Sequence, residues 1–147
     1  MRVVVLVKAN EQSEAGEMPD PELVRQMVAF NEELVKAGVM LAADGLYPSS
    51  KGKRVVYSGK TKRIIDGPFA ETKELVAGFW IWQVRSMEEA MAWAERCPNP
   101  HQQDGIIEIR PIFDVEDFAD TSGMSDEVRE QQRRLFGEMA DQAKARK

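Results

Sequence analysis

The sequence predicts an α+β fold, because strand and helix patterns alternate in a symmetric order. A strand, an amphipathic helix and a second strand come first. Two short strands follow around Ser58 and Gly59, and a second strand-helix-strand unit comes after them. Without the central hairpin, this order is the split βαβ pattern of a ferredoxin-like βαββαβ sheet. We therefore expect one sheet with both helices on the same face and a hairpin inserted between its two halves.

The first βαβ unit begins with a short apolar run at residues 2–7, which is typical of a strand buried on both faces. Residues 8–18 are polar and predict a mobile loop. Asp20 before Pro21 is typical of a helix start. Apolar residues then recur at helical spacing, namely Leu23, Met27, Phe30, Leu34 and Ala37.

Gly38 is expected to end this helix, because glycine readily takes the left-handed conformation that follows a helix. Residues 39–46 predict the second strand. Residues 54–57 and 61–65 predict the two strands of the hairpin, and Ser58-Gly59 is the turn signal between them.

The second βαβ unit begins with residues 75–84, which form the strongest strand pattern in the chain. Ser86 with Glu89 three residues later predicts a capping box and a second helix. Pro98 is expected to end that helix. Residues 105–112 then predict the last strand of the sheet.

The strand at residues 75–84 is apolar on both faces. One face carries Leu75, Ala77, Phe79 and Ile81, and the other carries Val76, Trp80, Trp82 and Val84. Two helices can cover only one face of the sheet, and large exposed apolar patches are rare on monomers. A second copy of the chain is the economical cover for the other face, so the pattern predicts a homodimer.

The loop from Asp66 to Glu74 reads Asp-Gly-Pro-Phe-Ala-Glu-Thr-Lys-Glu and connects two predicted strands. Gly67 and Pro68 predict a sharp turn, and Phe69 is an apolar anchor in a polar loop. The polar side chains that follow are Glu71, Thr72, Lys73 and Glu74. Two interpretations stay open: the loop is a structural turn, or it forms the rim of a ligand cavity.

This loop closely resembles the signature of the DGPF group within the YCII-related proteins, and similar positions extend to about Phe113. Further matching stretches are Ala-Gly-Val at residues 37–39, Gly-Phe at 78–79 and Ile-Glu-Ile-Arg-Pro at 107–111. The resemblance implies a YCII-related domain at residues 1–113. It also implies a dimeric α+β barrel, in which two sheets pack face to face.

The resemblance further implies a candidate catalytic pair and a candidate partner. Other YCII-related proteins carry a His-Asp pair with the histidine in the first helix, whereas Met27 stands near that position here. Asp44 keeps an acid after the second predicted strand. Genes for similar proteins often lie beside genes for extracytoplasmic-function sigma factors, which implies an accessory or regulatory role through a protein partner.

Composition limits the classes of function. The chain has 147 residues, a formal net charge of −5 and a pI near 5.0, which argues against nonspecific binding to nucleic acid. Cys97 is the single cysteine, so a reducing compartment is the simplest interpretation. No apolar run is long enough for a signal or membrane segment. These observations predict a cytoplasmic protein that binds neither nucleic acid nor membranes.

Few residues are candidates for chemistry. His101 is the single histidine, and its polar loop favours a solvated side chain over a general acid or base. Cys97 follows the apolar face of a helix, which favours a core thiol. We predict no cofactor and no metal site, since nothing requires the possible carboxylate-only Mg²⁺ site at Asp66, Glu71 and Glu74.

If the loop binds a ligand, its polar side chains have predicted roles. Lys73 is the cationic contact for a small anionic ligand, and Glu71 or Glu74 is the candidate base. Thr72 can donate and accept hydrogen bonds, whereas Asp66 orients the turn.

Glu108 and Arg110 share one face of the last predicted strand, because they alternate with Ile107 and Ile109. That face points either into the dimer cavity, where both charged residues are ligand-binding candidates, or into solvent.

Residues 114–147 differ in character from the rest and predict a linker and a helical extension. Ser125 is the expected helix cap, and the apolar positions near one helix face are Val128, Leu135, Phe136 and Met139. Three functions stay open. They are a small-molecule-binding protein or small enzyme with its site at the Asp66–Glu74 loop, an accessory protein with a protein partner, and a structural dimer module.

Overall fold

The computed structural model describes residues 1–118 and 123–145, and the chain forms two compact units, Met1–Ile112 and Phe113–Lys147. The part of the predicted linker at residues 119–122 lies outside the described residues. In the described ranges, no helix is both long and apolar enough to cross a membrane.

The elements follow one another in an alternating order. They are β1 (Arg2–Lys8), α1 (Glu11–Glu14), α2 (Pro21–Lys36), β2 (Met40–Gly45), β3 (Lys53–Ser58), β4 (Thr61–Asp66), β5 (Val76–Gln83), α3 (Met87–Arg96), β6 (Ile107–Pro111) and α4 (Asp126–Ala145). Short 3₁₀ helices form at Ser49–Lys51, Thr72–Glu74 and Val115–Phe118.

The main sheet has the strand order β2-β5-β1-β6, and each neighbouring pair is antiparallel. This is the order that a split βαβ chain gives, so the predicted α+β ferredoxin-like fold is confirmed. β3 and β4 pair with each other and form the inserted two-stranded sheet. Gly59 makes its turn in the left-handed region, with φ of 57°.

One face of the main sheet packs against the helices. Trp80 and Trp82 of β5 are buried, and the ring of Phe30 from α2 meets both in edge contacts, with centroids 6.4 and 6.3 Å apart. Leu34 of α2 and Ala90 of α3 are fully buried in the same cluster. The prediction that both helices lie on one face is therefore confirmed.

The opposite face carries apolar side chains without a helix over them. Leu6 lies beside Phe79, and Val4 lies beside Ile81 in the β1–β5 register. All four side chains are half-buried in the single chain. The alternation predicted for β5 is therefore correct.

Two local predictions differ from the structure. Residues 8–18 contain α1, which Asn10 caps by accepting a hydrogen bond from the main-chain N of Ser13. Ser86 caps α3 as predicted, accepting from the main-chain N of Glu89 at 3.2 Å. The carboxylate of Glu89 instead accepts from the main-chain N of Arg85 at 2.7 Å, so the predicted capping box is only half formed.

The second unit consists of the 3₁₀ helix at Val115–Phe118 and of α4. The hydroxyl of Ser125 accepts from the main-chain N of Val128 at 3.3 Å, which confirms the predicted cap. Arg133 of α4 donates to the carboxylate of Glu116 at 3.0 Å and ties the two helical segments together.

Candidate functional site

A cavity of about 350 Å³ lies at one end of the main sheet, beneath the first half of α2. Small-molecule sites commonly measure roughly 300–1,000 Å³, so the cavity has the size of such a site. Its walls come from the end of β1, the segment around α1, the first half of α2, the end of β2, the start of β5 and the loop before β6.

The apolar part of the wall is formed by α2 and β5. Leu23 and Met27 of α2 line the cavity together with Trp80. The indole Nε1 of Trp80 donates to Oδ1 of Asn31 at 2.9 Å, so the polar atom of this buried ring is satisfied and the ring orientation is fixed.

His101 lines the same cavity and is half-buried rather than fully solvated. Its Nε2 lies 2.7 Å from the main-chain carbonyl oxygen of Lys8. Its main-chain N donates to Oδ1 of Asn99 at 3.0 Å. A Cβ at Gly105 would lie 2.5 Å from that Oδ1, so a larger residue at position 105 would displace the Asn99 side chain from this hydrogen bond.

The hydrogen bond to Lys8 determines the tautomer of His101. A carbonyl oxygen only accepts, so Nε2 carries the hydrogen and Nδ1 of the neutral ring is an acceptor. Among the described residues, Nδ1 has no hydrogen-bond partner. The ring therefore presents one unused lone pair.

Asp44 also borders the cavity, from the end of β2. It is exposed and stands opposite Phe79 in the β2–β5 register, so its side chain belongs to the sheet face that carries no helix. Met27 lines the cavity from α2, where the family resemblance implies a histidine. The imidazole at this cavity comes instead from the loop before β6.

Asn10 is a functional candidate that the sequence reasoning missed. Its Oδ1 accepts from the main-chain N of Ser13 at 2.9 Å, and this bond fixes the orientation of the amide. The residue lines the cavity, and its Nδ2 is buried and has no acceptor among the described residues. An asparagine followed three residues later by Ser13 was the available signal for the cap.

The Asp66–Glu74 loop lies elsewhere, and none of its residues lines this cavity. A Cβ at Gly67 would lie 1.7 Å from the carbonyl oxygen of Ser49, so only glycine fits there. The main-chain N of Phe69 donates to the hydroxyl of Ser49 at 3.0 Å. The main-chain N of Ser49 in turn donates to the carboxylate of Glu14 in α1 at 3.0 Å. The loop is therefore bound to the helix that walls the cavity.

Phe69 is half-buried rather than fully buried, and the guanidinium of Arg54 lies 3.9 Å from its ring centroid. Among the polar side chains of the loop, Thr72 is half-buried, whereas Glu71, Lys73 and Glu74 are exposed. A ligand site at these residues stays a prediction.

The remaining candidates form ion pairs. Asp66 pairs with Lys53 across the hairpin. Glu108 lies 4.0 Å from Arg110 and 3.7 Å from Lys8. Glu108 and Arg110 stand opposite Leu6 and Val4 in the register, so they belong to the sheet face that carries no helix.

Cys97 follows α3 and packs partly into the core. Burial raises the pKa of its thiol to about 11, because the low-polarity surroundings disfavour the thiolate. This agrees with the predicted inert core thiol. In the described ranges, no group of three or more histidine, cysteine or carboxylate side chains is arranged to hold a metal ion.

Residues 1–116 match the YCII-related domain family. The chain belongs to the YCII-related family. It is also similar to an uncharacterized protein of Rhizobium meliloti (strain 1021), with 31% identity over 93 residues, covering 63% of this chain and 75% of that protein. For this YCII-related chain, family membership agrees with the ferredoxin-like sheet and leaves the role of the cavity to its own residues.

Gly67→Ala tests whether the Asp66–Glu74 loop holds α1 in place. The added methyl group has no room beside Ser49, so we expect a loss of about 3 kcal/mol in unfolding free energy. Urea titration followed by tryptophan fluorescence measures this loss. Gly45→Ala is the matched control, because a Cβ there meets nothing within 4 Å. Equal stability of the two variants would contradict the close approach.

Proposed function

We propose that this protein binds a small molecule in the cavity beneath α2 and moves a proton on that molecule through His101. The observation that supports this proposal is that the imidazole of His101, with an unused lone pair on Nδ1, lines a cavity of small-molecule size.

Nδ1 of His101 is suited to act as a base. The Nε2–H group donates to the Lys8 carbonyl, so the free lone pair of the neutral ring is on Nδ1. When Nδ1 takes a proton, the ring becomes a cation. Its hydrogen bond to the carbonyl holds the ring in one orientation while Nδ1 takes the proton.

Asp44 borders the same cavity, but it is exposed and stands opposite Phe79 in the β2–β5 register. Its side chain therefore belongs to the helix-free face of the sheet. His101 is then the group at this cavity that would carry general acid-base chemistry.

The Asp66–Glu74 loop has a supporting role in this proposal. Its hydrogen bonds through Ser49 to Glu14 position α1 and hence the cavity wall. A separate anionic ligand held by Thr72, Lys73 and Arg110 stays a prediction. The side chain of Lys73 is exposed to solvent.

A near-isosteric variant tests the cavity. Fragments that shift the indole N–H resonance of Trp80 in NMR titrations of the full chain should bind about tenfold more weakly to His101→Gln. Gln keeps a donor for the Lys8 carbonyl and removes the base. Lys73→Ala is the control and should leave binding unchanged. Binding that survives His101→Gln and is lost in Lys73→Ala would move the site to the loop.

We also propose that the protein is a homodimer that packs the helix-free faces of two main sheets together. The support is the half-exposed apolar set on that face, formed by Val4, Leu6, Phe79 and Ile81. Covering such a patch is favourable at roughly 25 cal/mol for each Å² removed from water.

Ile81→Glu should convert the dimer to a monomer in sedimentation equilibrium at micromolar concentration, because an unpaired carboxylate in an apolar interface is costly. Ile64→Glu is the matched control on the hairpin, where the isoleucine is 69% exposed. A wild-type chain that sediments as a monomer would refute the proposal.

A second candidate function is docking to a protein partner through α4. Its apolar residues share one helix face, and Leu135 and Met139 are 51% and 61% exposed. An amphipathic helix of this kind suits the apolar groove of another protein, and the family resemblance points to an extracytoplasmic-function sigma factor as that protein.

The double variant Leu135→Glu, Met139→Glu should weaken binding to a purified extracytoplasmic-function sigma factor at least about tenfold in calorimetry. Arg134→Glu introduces the same carboxylate outside the apolar stripe and should have little effect. Unchanged binding in the double variant would exclude α4 as the docking helix.

A further inference from the structure

We propose that the cavity selects an uncharged ligand that carries a hydrogen-bond acceptor and a donor side by side, as in a primary amide or a lactam, on an apolar ring or chain. This inference rests on the proposed function and names the chemical class of its ligand.

Asn10 requires an acceptor on the ligand. Asn10 lines the cavity, and its Oδ1 is committed to the cap of α1, so Nδ2 is the atom left without a partner. That Nδ2 is buried and has no acceptor among the described residues. A buried donor without a partner costs roughly 1–3 kcal/mol, which a ligand oxygen placed there would recover.

His101 requires a donor on the ligand. Its Nε2–H is committed to the carbonyl of Lys8, so Nδ1 is left as an acceptor. Lys8 comes two residues before Asn10, so both groups are anchored to the same short stretch of chain. One donor and one acceptor on the ligand would satisfy both.

The lining disfavours the two charged alternatives, which are an anionic ligand and an ammonium ligand. Glu17 supplies a carboxylate, and none of the lining residues is a lysine or an arginine, so an anionic ligand would find no cation to pair with. An ammonium group has no acceptor oxygen and would leave Nδ2 of Asn10 unpaired. An uncharged amide is the simplest group that meets both requirements.

The rest of the ligand must be apolar, because Leu23, Met27 and Trp80 form the wall under α2. The Nε1 of Trp80 already donates to Asn31, so the indole offers only its apolar ring. A planar ring or short aliphatic chain attached to the amide fits this surface.

Three probes of equal size separate these classes: benzamide, benzoate and benzylamine. NMR titration of the full chain, read at the indole N–H of Trp80, should give a Kd for benzamide about tenfold lower than that of the other two. Tighter binding of benzoate or benzylamine would overturn the ligand class and leave the cavity as a binding site. No response to any of the three probes would overturn the proposed function as well.

Asn10→Asp gives the sharpest control. Aspartate caps a helix as well as asparagine does, so α1 should be retained. The variant replaces the Nδ2 donor with an acceptor, and benzamide should then bind about tenfold more weakly. An unchanged Kd for benzamide in this variant would overturn the role of Asn10.

His101→Gln tests the second ligand contact. The glutamine keeps the hydrogen bond to Lys8, and the binding of benzamide should still become weaker. An unchanged Kd for benzamide in this variant would overturn the role of Nδ1.

Discussion

Burial of Trp80 and Trp82 beneath α2 determines where a ligand can bind in this protein. The two indoles occupy the middle and far end of β5 on the helix side, and Phe30 meets both of them edge-on. This contact holds α2 over the sheet, while Leu23 and Met27 of its first half line a space that the core does not fill. The cavity is thus a consequence of how the largest core side chains are distributed along one helix.

The DGPF-type loop contributes to this site from a distance. Gly67 approaches the main chain of Ser49 too closely for any side chain. The hydroxyl of Ser49 accepts a hydrogen bond from the main-chain N of Phe69, and the main-chain N of Ser49 donates to the carboxylate of Glu14. Glu14 belongs to α1, whose cap is Asn10 at the cavity. The residues that carry the family resemblance therefore act on the wall of the cavity through a chain of short polar contacts. A rigid support of this kind keeps the polar groups of a binding site in place before the ligand arrives.

The sequence predicted the sheet and helix packing well, because these depend on periodic patterns. The alternation along β5 predicted correctly which side chains lie on each face of the sheet. Asp20 and Gly38 marked the two ends of α2. The short helix α1 was missed because four residues carry no readable apolar period and its cap alone defines it. The position of His101 was missed because it depends on a contact with Lys8, which is far away in the chain, and on the close fit at Gly105.

The origin of the imidazole also follows from these contacts. The family resemblance implies a histidine on the first long helix, where this chain has Met27, an apolar side chain on the cavity wall. Here the loop before β6 brings His101 to that cavity, and the Lys8 carbonyl holds its Nε2. Asp44 stands opposite Phe79 in the register and so belongs to the helix-free face. Anchoring one ring nitrogen to the backbone frees the other for the ligand and fixes the ring without help from a carboxylate.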